Sequence, residues 1–110
     1  MTPAARLAIF GGEPHGAKLA RYSADDVKLR WFGADEAGRL ESSLRSGRTD
    51  AVLVLAHLIG HGDFWRLVRT LRALGKPLRI GRSGSHREID AFIEDARSRW
   101  RGPARHYRAS

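Results

Sequence analysis

Four of the five histidines carry the residue type best suited to chemistry in this chain: His15, His57, His61 and His86. Imidazole exchanges a proton near neutral pH and ligates metals and haem iron. His57 and His61 are four residues apart, but Gly60 between them argues against one continuous helix carrying both. No His-Glu-x-x-His occurs, and no carboxylate stands at a recognisable ligand spacing. Cysteine is absent, which excludes disulfides and thiolate metal sites. For any one of these histidines the plainer role is a structural hydrogen bond.

A second group is Gly11-Gly-Glu-Pro-His-Gly-Ala-Lys18. Gly11 and Gly16 have the spacing of a phosphate loop, but that motif needs Lys directly after the second glycine and then Ser or Thr. Here Ala17 intervenes and Leu19 follows Lys18, so a P-loop NTPase is rejected. Backbone N–H groups after a first strand still offer an anion site; the alternative is that Gly11-Gly12 is only a tight turn. A third group is Ile80-Gly-Arg-Ser-Gly-Ser-His86, in which Arg82 and Ser83 could clamp a phosphate or carboxylate. Ser85 is already explained as a helix cap, while Ser83 has no such structural role. The stretch misses the last glycine of a Gly-x-Ser-x-Gly nucleophile elbow, which counts against acyl transfer. A fourth group is Arg66, Arg69 and Arg72, spaced by three along one outer helix face, a patch that can neutralise nucleic-acid phosphates. Most such charged outer faces are simply solvated. Trp31, Trp65 and Trp100 read more easily as core or dimer contacts than as stacking platforms.

The elements that must position these groups follow from the apolar pattern. Ala51–Ala56 is an unbroken apolar run, which suits a strand buried on both faces. Leu7–Phe10 predicts a first strand, followed by a short helix over Pro14–Tyr22. Val27–Phe32 alternates apolar with Lys28 and Arg30, marking an edge strand with one face in water. Asp35 is the expected cap of a helix running to about Ser46, which Gly47 stops. Asp63 is the expected cap of the clearest helix, whose stripe is Phe64, Leu67, Val68, Leu71 and Leu74. Gly75 and Pro77 end it, and Leu78–Ile80 predicts a short fourth strand. Ser85 and Glu88 fit a capping box opening a last helix, with Ile89, Phe92, Ile93, Ala96 and Trp100 inward and Gly102-Pro103 as its stop. The order β-α-β-α-β-α-β-α predicts a small four-stranded parallel sheet with flanking helices, Rossmann-like or flavodoxin-like, with the first and third strands central. All four histidines then fall on one rim of that sheet, where open parallel sheets bind ligands.

The 110 residues fit one domain, taken as 1–103, with a basic tail over 104–110. The net charge of +8 and pI near 11.2 favour anionic partners, although arginine supplies all of the 20 basic residues except Lys18, Lys28 and Lys76, a skew that GC-rich coding also produces. No membrane span or secretory leader is evident, so the cytoplasm is the expected compartment.

These residues resemble an uncharacterised bacterial family of small Rossmann-like domains of unknown function. The likeness rests on Gly11-Gly12 after the first strand and Asp50 before Ala51-Val-Leu-Val-Leu. It continues in Gly60-His61, in Gly75-Lys76-Pro77, and in Ser83 or Ser85 as a late serine. It spans roughly 7–92, and Gly60 stands where the family has a serine. The resemblance implies the fold and a Gly-Gly/His/Ser site, and a cofactor such as haem would be in keeping with the histidine.

Together these observations favour a non-enzymatic binding or regulatory module, a homodimer, holding an anionic ligand such as a nucleotide or nucleic-acid phosphate. The expected ligand site is Gly11, Gly12, His61, Arg82 and Ser83, with Arg66, Arg69 and Arg72 as the nucleic-acid face. One alternative is a haem- or metal-binding sensor using His61 or His57. Another is a small phosphoryl-transfer or hydrolytic enzyme with His61 as acid–base.

Overall fold

The structure is a computed structural model that describes residues 4–22 and 24–98. In chain order the elements are β1 (Ala5–Phe10), α1 (Gly16–Ala20), β2 (Val27–Phe32), α2 (Ala37–Arg45) and β3 (Ala51–Leu55). A single 3-10 turn at Ala56–Leu58 then leads to α3 (His61–Leu74), β4 (Leu78–Gly81) and α4 (His86–Ser98). The strands form one sheet in the order β2-β1-β3-β4, every pair parallel. This is a Rossmann-like, flavodoxin-like α/β architecture. As the sequence predicts, β1 and β3 are central and β2 lies at an edge.

Alternation along the strands decides which helix each residue meets. Leu7 and Ile9 of β1, with Ala51, Leu53 and Leu55 of β3, pack against Ile89, Phe92, Ile93 and Ala96 of α4. Ala8, Phe10, Val52 and Val54 point the other way, onto Leu40 and Leu44 of α2 and Leu67 and Leu71 of α3. The run Ala51–Leu55 is buried throughout because each of its faces is covered. On β2, Lys28 and Arg30 reach water, while Trp31 is only 8% exposed.

The amino ends of the central strands are tied by Asp50. Its carboxylate accepts the Arg6 backbone N–H at 2.8 Å, and its own N–H donates to the Arg6 carbonyl at 2.7 Å. Gly75 closes α3 at φ +65, a conformation that glycine adopts without strain. Lys76 then donates from Nζ to the carbonyls of Leu44 at 2.9 Å and Thr49 at 2.6 Å, satisfying the end of α2. Burial pushes the Lys76 ammonium below its ordinary pKa. Asp50 and Gly75-Lys76-Pro77 thus serve the fold at the amino side of the sheet, opposite the rim that carries the histidines.

Several boundaries differ from expectation. The first helix is Gly16–Ala20, not Pro14–Tyr22; it buries no residue, so packing does not extend it. Asp35 does not cap α2. Glu36 occupies that position, and its carboxylate folds back to accept the Gly33 N–H at 2.8 Å. Asp63 does not cap α3 either. The helical ladder already starts with Phe64 N–H to the Gly60 carbonyl at 3.0 Å, which puts Asp63 in the first turn, where its charge suits the helix dipole. The fourth strand extends one residue further than predicted, to Gly81. Trp65 is not a core residue, being 44% exposed. Trp100, the Gly102-Pro103 stop and the basic tail over 104–110 lie outside the described residues.

Candidate functional site

The carboxyl rim is built from the segments after β1, β3 and β4. Gly11 and Gly12 leave β1 at φ +129 and +64, values that a side chain would strain. Gly11 donates to the Phe32 carbonyl at 3.0 Å and Gly12 to the Leu58 carbonyl at 3.2 Å. The Gly12–Leu58 bond spans the gap between β1 and β3, the place where open α/β sheets usually admit a ligand. A Cβ on Gly11 would lie 2.9 Å from the Leu55 Cβ and 3.2 Å from the Ile59 side chain. This crevice is therefore filled by the chain itself.

The segment after β4 is filled in a similar way. The Glu88 carboxylate accepts the N–H groups of Arg82, Ser83 and Gly84 at 2.7, 3.0 and 2.7 Å. Ser85 Oγ accepts the Glu88 N–H at 3.3 Å, completing the expected capping interaction. Gly84 sits against the Trp31 ring, its carbonyl accepting from Lys18 Nζ at 3.1 Å. Trp31 in turn donates from Nε1 to the Gly11 carbonyl at 2.8 Å, joining the first loop to the last. The backbone donors expected to hold an anion at Gly11, Gly12, Arg82 and Ser83 are thus engaged within the chain. What remains for a ligand there is side chain: the exposed Arg82 and Ser83.

Burial alone would raise the Glu88 pKa; the N–H donors of Arg82, Ser83, Gly84 and Ser85 outweigh it and hold the carboxyl below the ordinary value. A depressed folded-state pKa contributes stability that is fully present above the unfolded value, about 4.3, and lost as pH falls through the lower folded value. Glu88→Gln should therefore cost about 1–3 kcal/mol at pH 7. The gap between variant and parent should narrow as pH falls through the carboxylate range. Urea denaturation at pH 7 and pH 3 measures it; an unchanged gap would refute the clasp.

The histidines share the rim but do not meet. His15 lies edge-on to Trp31, with ring centroids 5.3 Å apart. His57 sits on the 3-10 turn and His61 opens α3, so Gly60 does separate them. His61 Nε2 accepts the Trp65 indole N–H at 3.1 Å. His86 faces Tyr22, whose hydroxyl is 2.8 Å from Nδ1, and Arg21, whose Nη1 is 3.2 Å from Nε2. Arginine can only donate, so Nε2 is the acceptor in the contact with Arg21. Burial, then the Asp90 carboxylate, raises the Tyr22 pKa. Below this group lies a cleft of about 370 Å³ lined by Arg21, Tyr22, Asp90, Glu94 and Arg97 among others. It mixes both signs of charge, and Arg97 is already held by Asp26 at 2.8 and 3.0 Å. Among the described residues no three His, Asp or Glu side chains gather as a metal site. The residues around His61 and His57 thus do not fit a multi-ligand metal centre.

The arginine stripe divides. Arg66 turns toward α2 and donates to Glu41 at 2.9 and 3.3 Å, and Thr70 Oγ1 donates to the same carboxylate at 2.8 Å. Arg66 first, then Thr70, holds the Glu41 carboxyl below its ordinary pKa. Arg69 and Arg72 are exposed, and neither forms an ion pair among the described residues. Trp65 lies on their side of α3, four and seven residues before them. In sequence this tryptophan reads as a core or dimer contact, although its place one turn after His61 points to the contact the structure shows. In sequence Lys18 reads only as a failed P-loop lysine, whereas its ammonium bonds the Gly84 carbonyl. Tyr22 carries no signal in sequence; its role comes from the long-range meeting of α1 with α4.

Comparison with protein-family models, curated proteins and solved structures gives no match for this chain. No helix among the described residues is long and apolar enough to cross a membrane.

Proposed function

We propose that this protein is a non-enzymatic binding module for an anionic ligand, a nucleotide or nucleic-acid phosphate, engaged through arginine side chains and not through loop N–H groups. The observation that carries this reading is the uneven engagement of its donors. The rim amides of Gly11, Gly12, Arg82 and Ser83 are internally satisfied, whereas the guanidinium groups of Arg69, Arg72 and Arg82 have no carboxylate partner among the described residues. Exposed unpaired guanidinium groups on a chain of net charge +8 favour phosphate, which they can bind in bidentate fashion. At the rim, Arg82 supplies countercharge and Ser83 Oγ and His61 hydrogen bonds. Gly11 and Gly12 shape the turn.

Titration of a labelled single-stranded oligonucleotide by fluorescence anisotropy, across a series of salt concentrations, tests this. Affinity should fall with salt, with a log–log slope of about −0.7 per phosphate neutralised. Absence of binding at the lowest salt, or affinity indifferent to salt, overturns the reading.

A further inference from the structure

We infer that the outer face of α3 is a single-strand nucleic-acid platform, on which an unpaired base stacks against Trp65 while neighbouring phosphates meet Arg69 and Arg72. This rests on the anionic-ligand reading above and names its ligand class and place. Residues three and four apart on a helix share a face. Trp65, Arg69 and Arg72 are so spaced, with His61 one turn ahead. The buried side chains of α3, Leu67, Val68, Thr70 and Leu71, take the opposite side. Arg66 is drawn away by Glu41, so the outward stripe consists of one aromatic ring and two guanidinium groups that contact no acidic side chain among the described residues.

Trp65 is suited to this in two further respects. It is 44% exposed, an uncommon placing for the largest apolar side chain in a chain that buries Trp31 to 8%. It is also held in position: its N–H is bonded to His61 Nε2 at 3.1 Å, and Phe64 packs edge-on with centroids 5.2 Å apart. A ring fixed before the ligand arrives loses less freedom on binding. Sequence-tolerant single-strand binding generally combines such a ring with a line of cations. A base within a duplex is already stacked on both faces and cannot reach the ring without unpairing. The flanking charge favours a polyanion over an apolar protein surface as occupant.

The test uses the full chain with a twelve-nucleotide oligodeoxythymidylate, a duplex of equal length and inorganic polyphosphate, each at several salt concentrations. The single strand should bind at least several-fold tighter than the duplex. Trp65→Ala should weaken single-strand binding about tenfold with the salt slope unchanged, and Trp65→Phe should restore much of it. The Arg69→Ala/Arg72→Ala pair should weaken it and flatten the slope by about 1.4. Arg66→Ala, removing a residue committed to Glu41, should leave affinity near the parent value. Circular dichroism confirms that each variant is folded. Salt-dependent binding that Trp65→Ala leaves intact, or equal affinity for duplex, polyphosphate and single strand, overturns the platform while the anionic reading stands. No binding to any probe overturns both. A dimer by light scattering that Trp65→Ala converts to monomer also overturns the platform, because a second copy then occupies the face.

Discussion

Gly11→Ala should destabilise the protein by about 3 kcal/mol, from two effects that act together. The backbone at Gly11 has φ +129, a region closed to other residues at a cost of about 1–3 kcal/mol. The added methyl would also lie 2.9 Å from the Leu55 Cβ and 3.1 Å from the Leu55 carbonyl oxygen. Leu55 is fully buried on the central strand, so it cannot step aside; overpacking of this kind costs about 1–3 kcal/mol more. A domain of this size has about 5–15 kcal/mol in all, so the loss is a large fraction. Urea denaturation followed by circular dichroism reads it directly. A change below about 1 kcal/mol would mean that β1 and β3 do not approach as closely as described.

Trp31→Ala should cost more, about 4 kcal/mol, by emptying the space beneath the rim. The ring lies under Gly84, within 5.8 Å of the Lys18 ammonium and edge-on to His15, and its Nε1 holds the Gly11 carbonyl. Its loss removes packing and leaves that buried carbonyl without its donor. Trp31→Phe separates the two effects: most of the packing stays and the hydrogen bond goes, for about 1–3 kcal/mol. Thermal melts of both variants, with an equal cost for Ala and Phe, would show that packing contributes nothing and defeat the account.

The fold was legible because its signals are local or periodic. An apolar run without alternation marked β3 as doubly covered, and the alternation in Val27–Phe32 marked β2 as an edge. Helix starts were less legible. Asp35 and Asp63 are good caps in isolation, yet Glu36 and the Gly60 backbone hold the helix starts instead, through hydrogen bonds that the choice of cap residue does not reveal. The rim was legible in membership but not in wiring. The sequence places Gly11, Gly12, Arg82 and Ser83 beside one another. It does not disclose that Phe32, Leu58 and Glu88 already accept their N–H bonds, because those partners come from the end of β2, from the turn after β3, or from a carboxylate with another evident role. The arginine stripe shows the same limit. A spacing of three puts Arg66, Arg69 and Arg72 near one face, and only the position of Glu41 on α2 decides that Arg66 leaves it.

The central position of β1 also imposes an order on assembly during synthesis. Its neighbours are β2 and β3, and the helix that covers one of its faces is α4. A growing chain makes β1 before its partners, and must reach Leu55 before that strand has both neighbours and Ala96 before α4 completes its packing. Until then Leu7 and Ile9 have no permanent cover. Such exposed strands invite aggregation, which chaperones that shield apolar segments during synthesis would limit.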